Sequence, residues 1–533
     1  MTAKRKGRAV KAAPIPKSNS FSDFLAKEPR KVWMIGVGIA LVFCALTFNP
    51  HLGIHGDNAD YIILAQSVWK GPFMHSLNFP VPRPSQTLPA GLPLLLAPVA
   101  FITGTSLIAL KMWITLLFLL SLPLLYYWLR SVTTATVAAL VVVLVGINPF
   151  LLEYSHITMS EIPFWTMAIA GLFLLNEADK KEGVWQNPWL WGGLVLVGYL
   201  YWIRSAGVAA IVAVGLHYLL RKQWKQLIMA VLVIGTVALP WMLISRGLGG
   251  TKYFEQFFMV NAYRPEMGMI GVAELLGRMG RNFITYIGWE LPRGILPILP
   301  EARGAGAGVF PIWGWLVSAV WLTGFIPFLI KYRERVGLYV LMMLGTCLVW
   351  PEVWSDLRFA LGILPLVIFF AVEGVRNLVR WFPKVVTLSF HTPLGLVLVA
   401  VVVISCVSKD ITLATTGKQY APNWRDFFAA GAWIKSNAPP DAVVACRKPH
   451  LIYLTTGRKT TYFAAKSDPS EVLKQMEDEG VDYVIYDALG FSDTPRFLKP
   501  TIEKYKDRFQ LVCKGNLSQT YLFKLVTSEK SGK

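Results

Sequence analysis

Charge is what this chain has least of. Only 16% of its 533 residues are Asp, Glu, Lys or Arg, against 54% hydrophobic, and the mean hydropathy is +0.48. That balance excludes an ordinary soluble domain and points to an integral membrane protein. There is no P-loop, no dinucleotide-binding glycine motif and no solenoid repeat, which argues against an ATP-driven pump. The segment after the basic residues Lys4, Arg5, Lys6, Arg8, Lys11 and Lys17 lacks a small-residue cleavage site. Residues 1–31 therefore read as a retained cytoplasmic tail and 32–48 as an anchor. Cysteine is sparse, with five residues. Cys44, Cys347 and Cys406 fall in apolar runs, where a thiol acts as a small hydrophobe. Cys446 and Cys513 each end a strand-like run, and two readings stay open for them: a disulfide or two unpaired buried thiols.

The net charge of +20 would suit nucleic acid if it lay along one polar face. It does not: the basic residues stand in short clusters between apolar runs, as the positive-inside rule requires. Lys180-Lys181, Arg221-Lys222-Lys225, Lys331-Arg333-Arg335 and Arg376-Arg380-Lys384 mark cytoplasmic turns. About eleven crossings follow, at 32–48, 107–129, 135–147, 162–175, 188–203, 206–220, 227–244, 309–330, 336–350, 359–372 and 394–407. The two runs around Arg204, with Gly207 nearby, also fit a re-entrant pair. The expected fold is an all-α polytopic bundle with the N-terminus inside and the C-terminus outside. Loops 49–106, 148–161, 245–307 and 351–358 then face outward. Within the first, 61–69 and 91–102 suit interfacial helices roofing a cavity. From 409 to 533 the composition becomes that of a small extracytoplasmic α/β domain. It has strand-like runs at 442–446 and 483–486, a helix at 470–479 and a last pair around Leu511 and Leu522.

Four motifs stand in order on the expected outer face. Gly56-Asp57-Asn58-Ala59-Asp60-Tyr61, with Ala65, follows the first span, and Leu88-Pro89-Ala90-Gly91-Leu92-Pro93-Leu94-Leu95 closes the first loop. Met159-Ser160-Glu161-Ile162-Pro163 opens the fourth span, and Arg358-Phe359-Ala360-Leu361-Gly362-Ile363-Leu364-Pro365 the tenth. In these motifs the chain resembles, over roughly 32–372, the polytopic type C glycosyltransferases that use polyprenyl-phosphate sugars. That group includes protein O-mannosyltransferases and the lipid A aminoarabinose transferase. The resemblance implies a catalytic acid at Asp57 and a second acidic site at Glu161.

The chemistry asks for such groups. An acceptor hydroxyl or amine attacking an anomeric carbon must lose a proton, and a carboxylate within hydrogen-bond reach can take it. Displacing the lipid phosphate would invert the anomeric centre. Many relatives place Glu directly after the Asp; here Asn58 follows and the next acid is Asp60. The bland alternative for Asp57 is a helix N-cap, for Asp60 packing near the helix start, and for Glu161 a charge favoured at a helix N-terminus.

A leaving polyprenyl phosphate needs cations, and Arg358, Arg83 and Arg204 are the candidates, in that order, against snorkelling or loop ion pairs. Lys252, Tyr253, Arg264, Arg281 and Arg293 are unranked. His51 and His55 are four apart, but Pro50 and Gly53 oppose a helix and no third ligand is fixed, so polar loop histidines are the stronger reading, a divalent metal the weaker one, and no cofactor is assigned. Arg447-Lys448-Pro449 and Thr456-Gly457-Arg458 could meet an anionic acceptor or the donor, against ordinary loop-tip charge. The glycosylation pattern Asn516-Leu517-Ser518 carries no weight.

The expected function is transfer of a sugar from a polyprenyl-phosphate donor to a lipid, glycan or protein acceptor, in a bacterial inner membrane. The alternatives are a secondary transporter or lipid flippase, or a ligase of whole lipid-linked glycans on the same fold. Partners are the lipid-linked sugar, the acceptor and membrane lipids, with no nucleic acid.

Overall fold

The computed structural model describes residues 30–250, 252–301, 312–332, 335–381 and 393–526. Nearly all of the basic tail expected at 1–31 lies outside them, as do Arg333 and Lys384. The chain is a multi-pass bundle of apolar helices: α1 (Arg30–Thr47), α2 (Asp57–Lys70), α3 (Gly91–Ile102), α4 (Leu107–Arg130), α5 (Ala135–Gly146), α6 (Pro149–Ser155), α7 (Glu161–Ala178), α8 (Pro188–Ile203), α9 (Val208–Leu220), α10 (Trp224–Gly247), α11 (Val272–Thr285), α12 (Ile312–Tyr332), α13 (Arg335–Val349), α14 (Leu364–Trp381) and α15 (Pro393–Ala414). Among the described residues, Leu107–Arg130, Trp224–Gly247, Ile312–Ile330 and Val397–Ala414 are long and apolar enough to cross a membrane alone. The pair α5 and α6, bent by 59° at Ile147–Asn148, passes that test as a broken span. Most other apolar runs form shorter helices, because glycine, proline and polar breaks divide them.

The first loop is helical where 61–69 and 91–102 were expected to be, but its first helix starts earlier, at Asp57. α3 lies directly on the end of α8. The Tyr199 hydroxyl donates to the Gly91 carbonyl at 2.8 Å, and a Cβ on Gly91 would strike the Trp202–Ile203 backbone. Glycine is required there by close backbone approach. The contact presses the first loop against the break between α8 and α9, where Arg204 sits in extended conformation ahead of a 3₁₀ turn, Ser205–Gly207.

The C-terminal part is a five-stranded sheet with helices on both faces. Its strands are β1 (Val443–Ala445), β2 (Lys459–Thr461), β3 (Tyr483–Tyr486), β4 (Phe509–Lys514) and β5 (Tyr521–Leu525), in the order β2-β1-β3-β5-β4. The first three are parallel; β5 is antiparallel to β3 and β4. Val444 and Ile485 face α16 (Pro422–Asn437) and α17 (Pro449–Thr456). Ala445 and Val484 face α18 (Pro469–Asp478) and the helical segment 494–504, the alternation that a strand imposes.

The strands at 442–446 and 483–486, the helix near 470–479 and the last pair all form where the sequence predicted them. Strand β2 was not anticipated. Its edge is covered by the first loop: Thr460 N donates to the Asn78 carbonyl at 2.7 Å, and the Asn78 amide donates to Thr460 Oγ1 at 3.1 Å. The disulfide reading fails, since Cys446 and Cys513 are both free thiols. Cys446 follows β1 and Cys513 is on β4, with two strands between. At ~4.8 Å per strand their Cα atoms are far beyond the ~7 Å a disulfide tolerates.

Gly91→Ala is expected to cost about 1–3 kcal/mol through overpacking, read as a lower thermal midpoint in detergent. Gly215→Ala, in α9 with open space around it, should be neutral or slightly stabilising.

Candidate functional site

Four separate segments bring charge to one point. Asp57 opens α2, and the residue ahead of it, Gly56, has φ +89°, a left-handed conformation that suits glycine. Asn58, fully buried, folds this loop on itself: its amide donates to the Gly53 carbonyl at 3.0 Å and its Oδ1 accepts from Gly56 N at 3.1 Å. Thr158 Oγ1 donates to the Asn58 carbonyl at 3.0 Å, tying the loop to the turn before α7. Asn58 is thus a brace. Gly56 occupies the N-cap position and Asp57 is the first helical residue, so the expected N-cap role falls away and the carboxylate is left for long-range contacts.

Those contacts run through Arg358. Its Nη2 lies 3.0 Å from Asp57 Oδ2 and its Nε 2.6 Å from Glu161 Oε1. The same Glu161 oxygen takes a second guanidinium, Arg204 Nη1, at 2.6 Å, and Arg204 also donates to Ser160 Oγ at 2.9 Å. Arg358 rides on a single helical turn, Leu357–Ala360, held at its start by two carboxylates. Asp356 accepts from Arg358 N at 3.1 Å, and buried Glu290 accepts from Leu357 N at 3.2 Å while pairing with Arg293 at 2.9 Å.

The two acids differ in access. The Glu161 side chain is 1% exposed and Asp57 44%. Glu161 is therefore an internal anion that holds two cations side by side, and Asp57 is the carboxylate an incoming group can reach. Asp57, Ser160, Arg204 and Arg358 line the polar side of a cavity of ≈ 290 Å³, and Tyr263, Trp350, Trp354 and Phe359 supply aromatic walls. The Arg358 and Arg204 guanidiniums each stand 5.6 Å from the centre of the Phe359 ring.

The structure brings Asp57, Glu161, Arg204 and Arg358 together, and promotes Arg204 from the last of three arginines to a full partner. It does not bring Asp60 or Arg83 into the cluster. Asp60 is buried between its own loop, where Ser76 Oγ donates to it at 2.8 Å, and the C-terminal unit, where His450 Nε2 lies at 3.4 Å. Arg83 pairs with Glu479 at 2.8 Å and covers the Phe79 ring at 4.4 Å, half-exposed. Arg281 pairs with Glu352, Arg293 with Glu290, and Arg264 is exposed. The Lys252 and Tyr253 side chains lie outside the described residues. His51 packs on Tyr420 and His55 on Tyr154, and burial together with Arg358 pushes His55 down, so it is neutral. No group of three His, Cys, Asp or Glu side chains placed to hold a metal occurs among the described residues. The aromatic walls had been legible only as Trp- and Tyr-rich loops, which membrane interfaces also contain.

No family model and no curated protein matches this chain. Solved structures do. ArnT from Cupriavidus metallidurans, bound to undecaprenyl phosphate, superposes with a TM-score of 0.60 at 12% identity, over 94% of this chain and 99% of that one. The apo form of ArnT gives 0.60 at 13% identity over the same shares. The oligosaccharyltransferase of Archaeoglobus fulgidus, tethered with an acceptor peptide, gives 0.59 at 13% identity over 95% of this chain and 75% of that one. The fold is that of the polytopic type C glycosyltransferases. Within this type C fold the motifs at 56–61, 159–163 and 358–365 meet at one cavity, although 301 residues separate Asp57 from Arg358.

Glu161→Gln leaves two adjacent guanidiniums without their shared anion. Breaking such a buried pair is expected to cost about 3–5 kcal/mol, read as a lower thermal midpoint. Adding Arg204→Gln should recover at least ~1 kcal/mol of it, because one uncompensated cation is removed.

Proposed function

We propose that this protein is a glycosyltransferase of a bacterial inner membrane, which takes a sugar from a polyprenyl-phosphate donor and places it, with inversion, on an acceptor at the outer face. The observation that carries this reading is the exposed Asp57 carboxylate beside paired guanidiniums on the wall of one cavity. The undecaprenyl phosphate of ArnT and the acceptor peptide of the oligosaccharyltransferase support a lipid-phosphate donor and a separate acceptor in general terms.

Each residue has a role in the step. Asp57 accepts the proton of the acceptor hydroxyl or amine as its oxygen or nitrogen bonds the anomeric carbon. The sugar–phosphate oxygen bond breaks and the electron pair leaves with the lipid phosphate. Arg358 and Arg204 spend only part of their five N–H donors on Glu161, Asp57 and Ser160. The remaining donors meet the phosphate, fixed in place before charge develops on it. A phosphate that draws on Arg358 also loosens its hold on Asp57, making that carboxylate a better base. Glu161 keeps the two guanidiniums adjacent, and the aromatic walls take the sugar ring.

The basic clusters give about eleven crossings with the N-terminus cytoplasmic and the C-terminal unit outside. The cavity, ≈ 290 Å³, lies at the small end of the ~300–1,000 Å³ typical of ligand pockets. That volume is enough for one sugar. A transporter would use membrane carboxylates to bind a cation and alternate access; here Asp57 and Glu161, the acids of the cluster, are already met by arginines.

The deciding experiment follows labelled sugar from a polyprenyl-phosphate pool into envelope material in proteoliposomes. Wild type is expected to transfer, and Asp57→Asn, equally folded, to lose at least ~100-fold in rate. Equal transfer by both would reduce Asp57 to a structural role, and transfer by neither from any donor would sink the glycosyltransferase reading.

A further inference from the structure

The C-terminal unit is wound in both directions from β1. The chain leaves β1 through α17 to β2 on one side, returns through α18 to β3 on the other, and leaves β3 through 494–504 for the far edge at β4. Loops after β1 and β3 therefore diverge, and open α/β sheets bind ligands in the crevice that such divergence leaves at the carboxyl ends of the strands. Here that crevice is formed by Cys446–Lys448 and by 487–493.

It opens against the loop that carries Asp57. Lys448 Nζ donates to the His55 carbonyl at 3.3 Å, and a Cβ on Gly56 would stand 3.4 Å from the same nitrogen. The two cations of the crevice differ. Arg447 pairs with Asp493 at 2.7 Å and covers the Phe491 ring at 4.8 Å. Lys448 lies over the same ring at 4.5 Å, and no carboxylate reaches it within salt-bridge distance among the described residues. An ammonium has three donors, and one long bond to a carbonyl leaves two for a ligand. Asp487, the other acid at the strand ends, is occupied by Thr494 Oγ1 at 2.9 Å and Leu489 N at 3.1 Å.

We propose that this crevice is the acceptor's subsite, in which Lys448 binds an anionic oxygen group, phosphate or carboxylate, carried by the acceptor beside its nucleophilic hydroxyl or amine. The inference rests on the glycosyltransferase reading and deepens it by naming the acceptor's chemistry. The donor phosphate has its guanidiniums in the cavity beyond Asp57, whereas Lys448 lines no part of that cavity. A base must touch the nucleophile, so the acceptor has to reach Asp57, and Lys448 stands at the backbone just ahead of it. The Phe491 face, already under both cations, keeps the ammonium in position with little loss of charge.

The test uses the full chain in proteoliposomes with an envelope-lipid extract split by anion exchange into anionic and neutral pools. Lys448→Gln is expected to raise the half-saturating concentration of the anionic pool about tenfold, the usual worth of a hydrogen bond to a charged group. Lys448→Arg should stay within about threefold, because the charge and donors remain. The half-saturating donor concentration should not move. Burial, with Arg447 beside it, takes the Lys448 ammonium down to about 8 against the pull of Asp57, Asp487 and Asp493. Affinity for the anionic pool should therefore weaken as pH rises from ~7 to ~9, when the amine loses its proton.

A change in donor saturation instead, or equal weakening of both pools, would overturn the subsite and leave the glycosyltransferase reading intact. If wild type transfers to neither lipid pool but does transfer into whole envelope material, the glycosyltransferase reading stands, and the crevice is judged by acylation of Lys448 with acetic anhydride, with exposed Lys466 as reference. Protection of Lys448 by the anionic pool alone keeps the anion site; equal acylation with both pools removes it.

Discussion

One buried carboxylate organises this molecule. Glu161 is almost fully shut from solvent and holds Arg204 and Arg358 through a single oxygen, each at 2.6 Å. Without it, two guanidiniums would face each other in a site with little water, an arrangement that costs more than either contact gains. With it, four segments distant in sequence are held at one point: the start of α2, the start of α7, the break between α8 and α9, and the turn at Leu357–Ala360. Arg358 then extends the network to Asp57, its most exposed member.

The site is built where regular structure stops. Irregular backbone within a bundle is tolerated only where it is buried in protein or lines a cavity, and here each break is individually braced. Asn58 ties down the loop before Asp57, Glu290 and Asp356 fix the turn that carries Arg358, and Gly91 lets α3 close on the backbone beside Arg204. The C-terminal unit adds a second clamp. It pairs its β2 edge with Asn78, takes Asp60 through His450 and reaches the His55 carbonyl through Lys448. A loop held from both sides can keep a carboxylate within the narrow range of positions that proton transfer requires.

Asp57 and Asp60 show how far a pattern carries. Three apart on a helix they are neighbours by spacing, and both looked like site residues. Asp57 is the first residue of its helix and turns to Arg358, whereas Asp60, one turn in, is buried against Ser76 and His450. Arg204 gave the opposite lesson: a lone arginine between apolar runs looks like a snorkelling residue until its carboxylate is known.

By itself the sequence determined the membrane class, the small α/β unit at the end of the chain, and Asp57, Glu161 and Arg358 as the residues to watch. Those features are local: apolar runs, charge between them, and acids or bases standing where a run begins. The tertiary structure decided which charges meet, that Cys446 and Cys513 are two strands apart, that Asn58 braces its loop, and that Lys448 comes to lie beside the loop of Asp57. The physical reason is range. Hydropathy and capping act within a turn or two of chain, while the ion pairs that make the site join residues whose separation in sequence carries no signal until the bundle has packed.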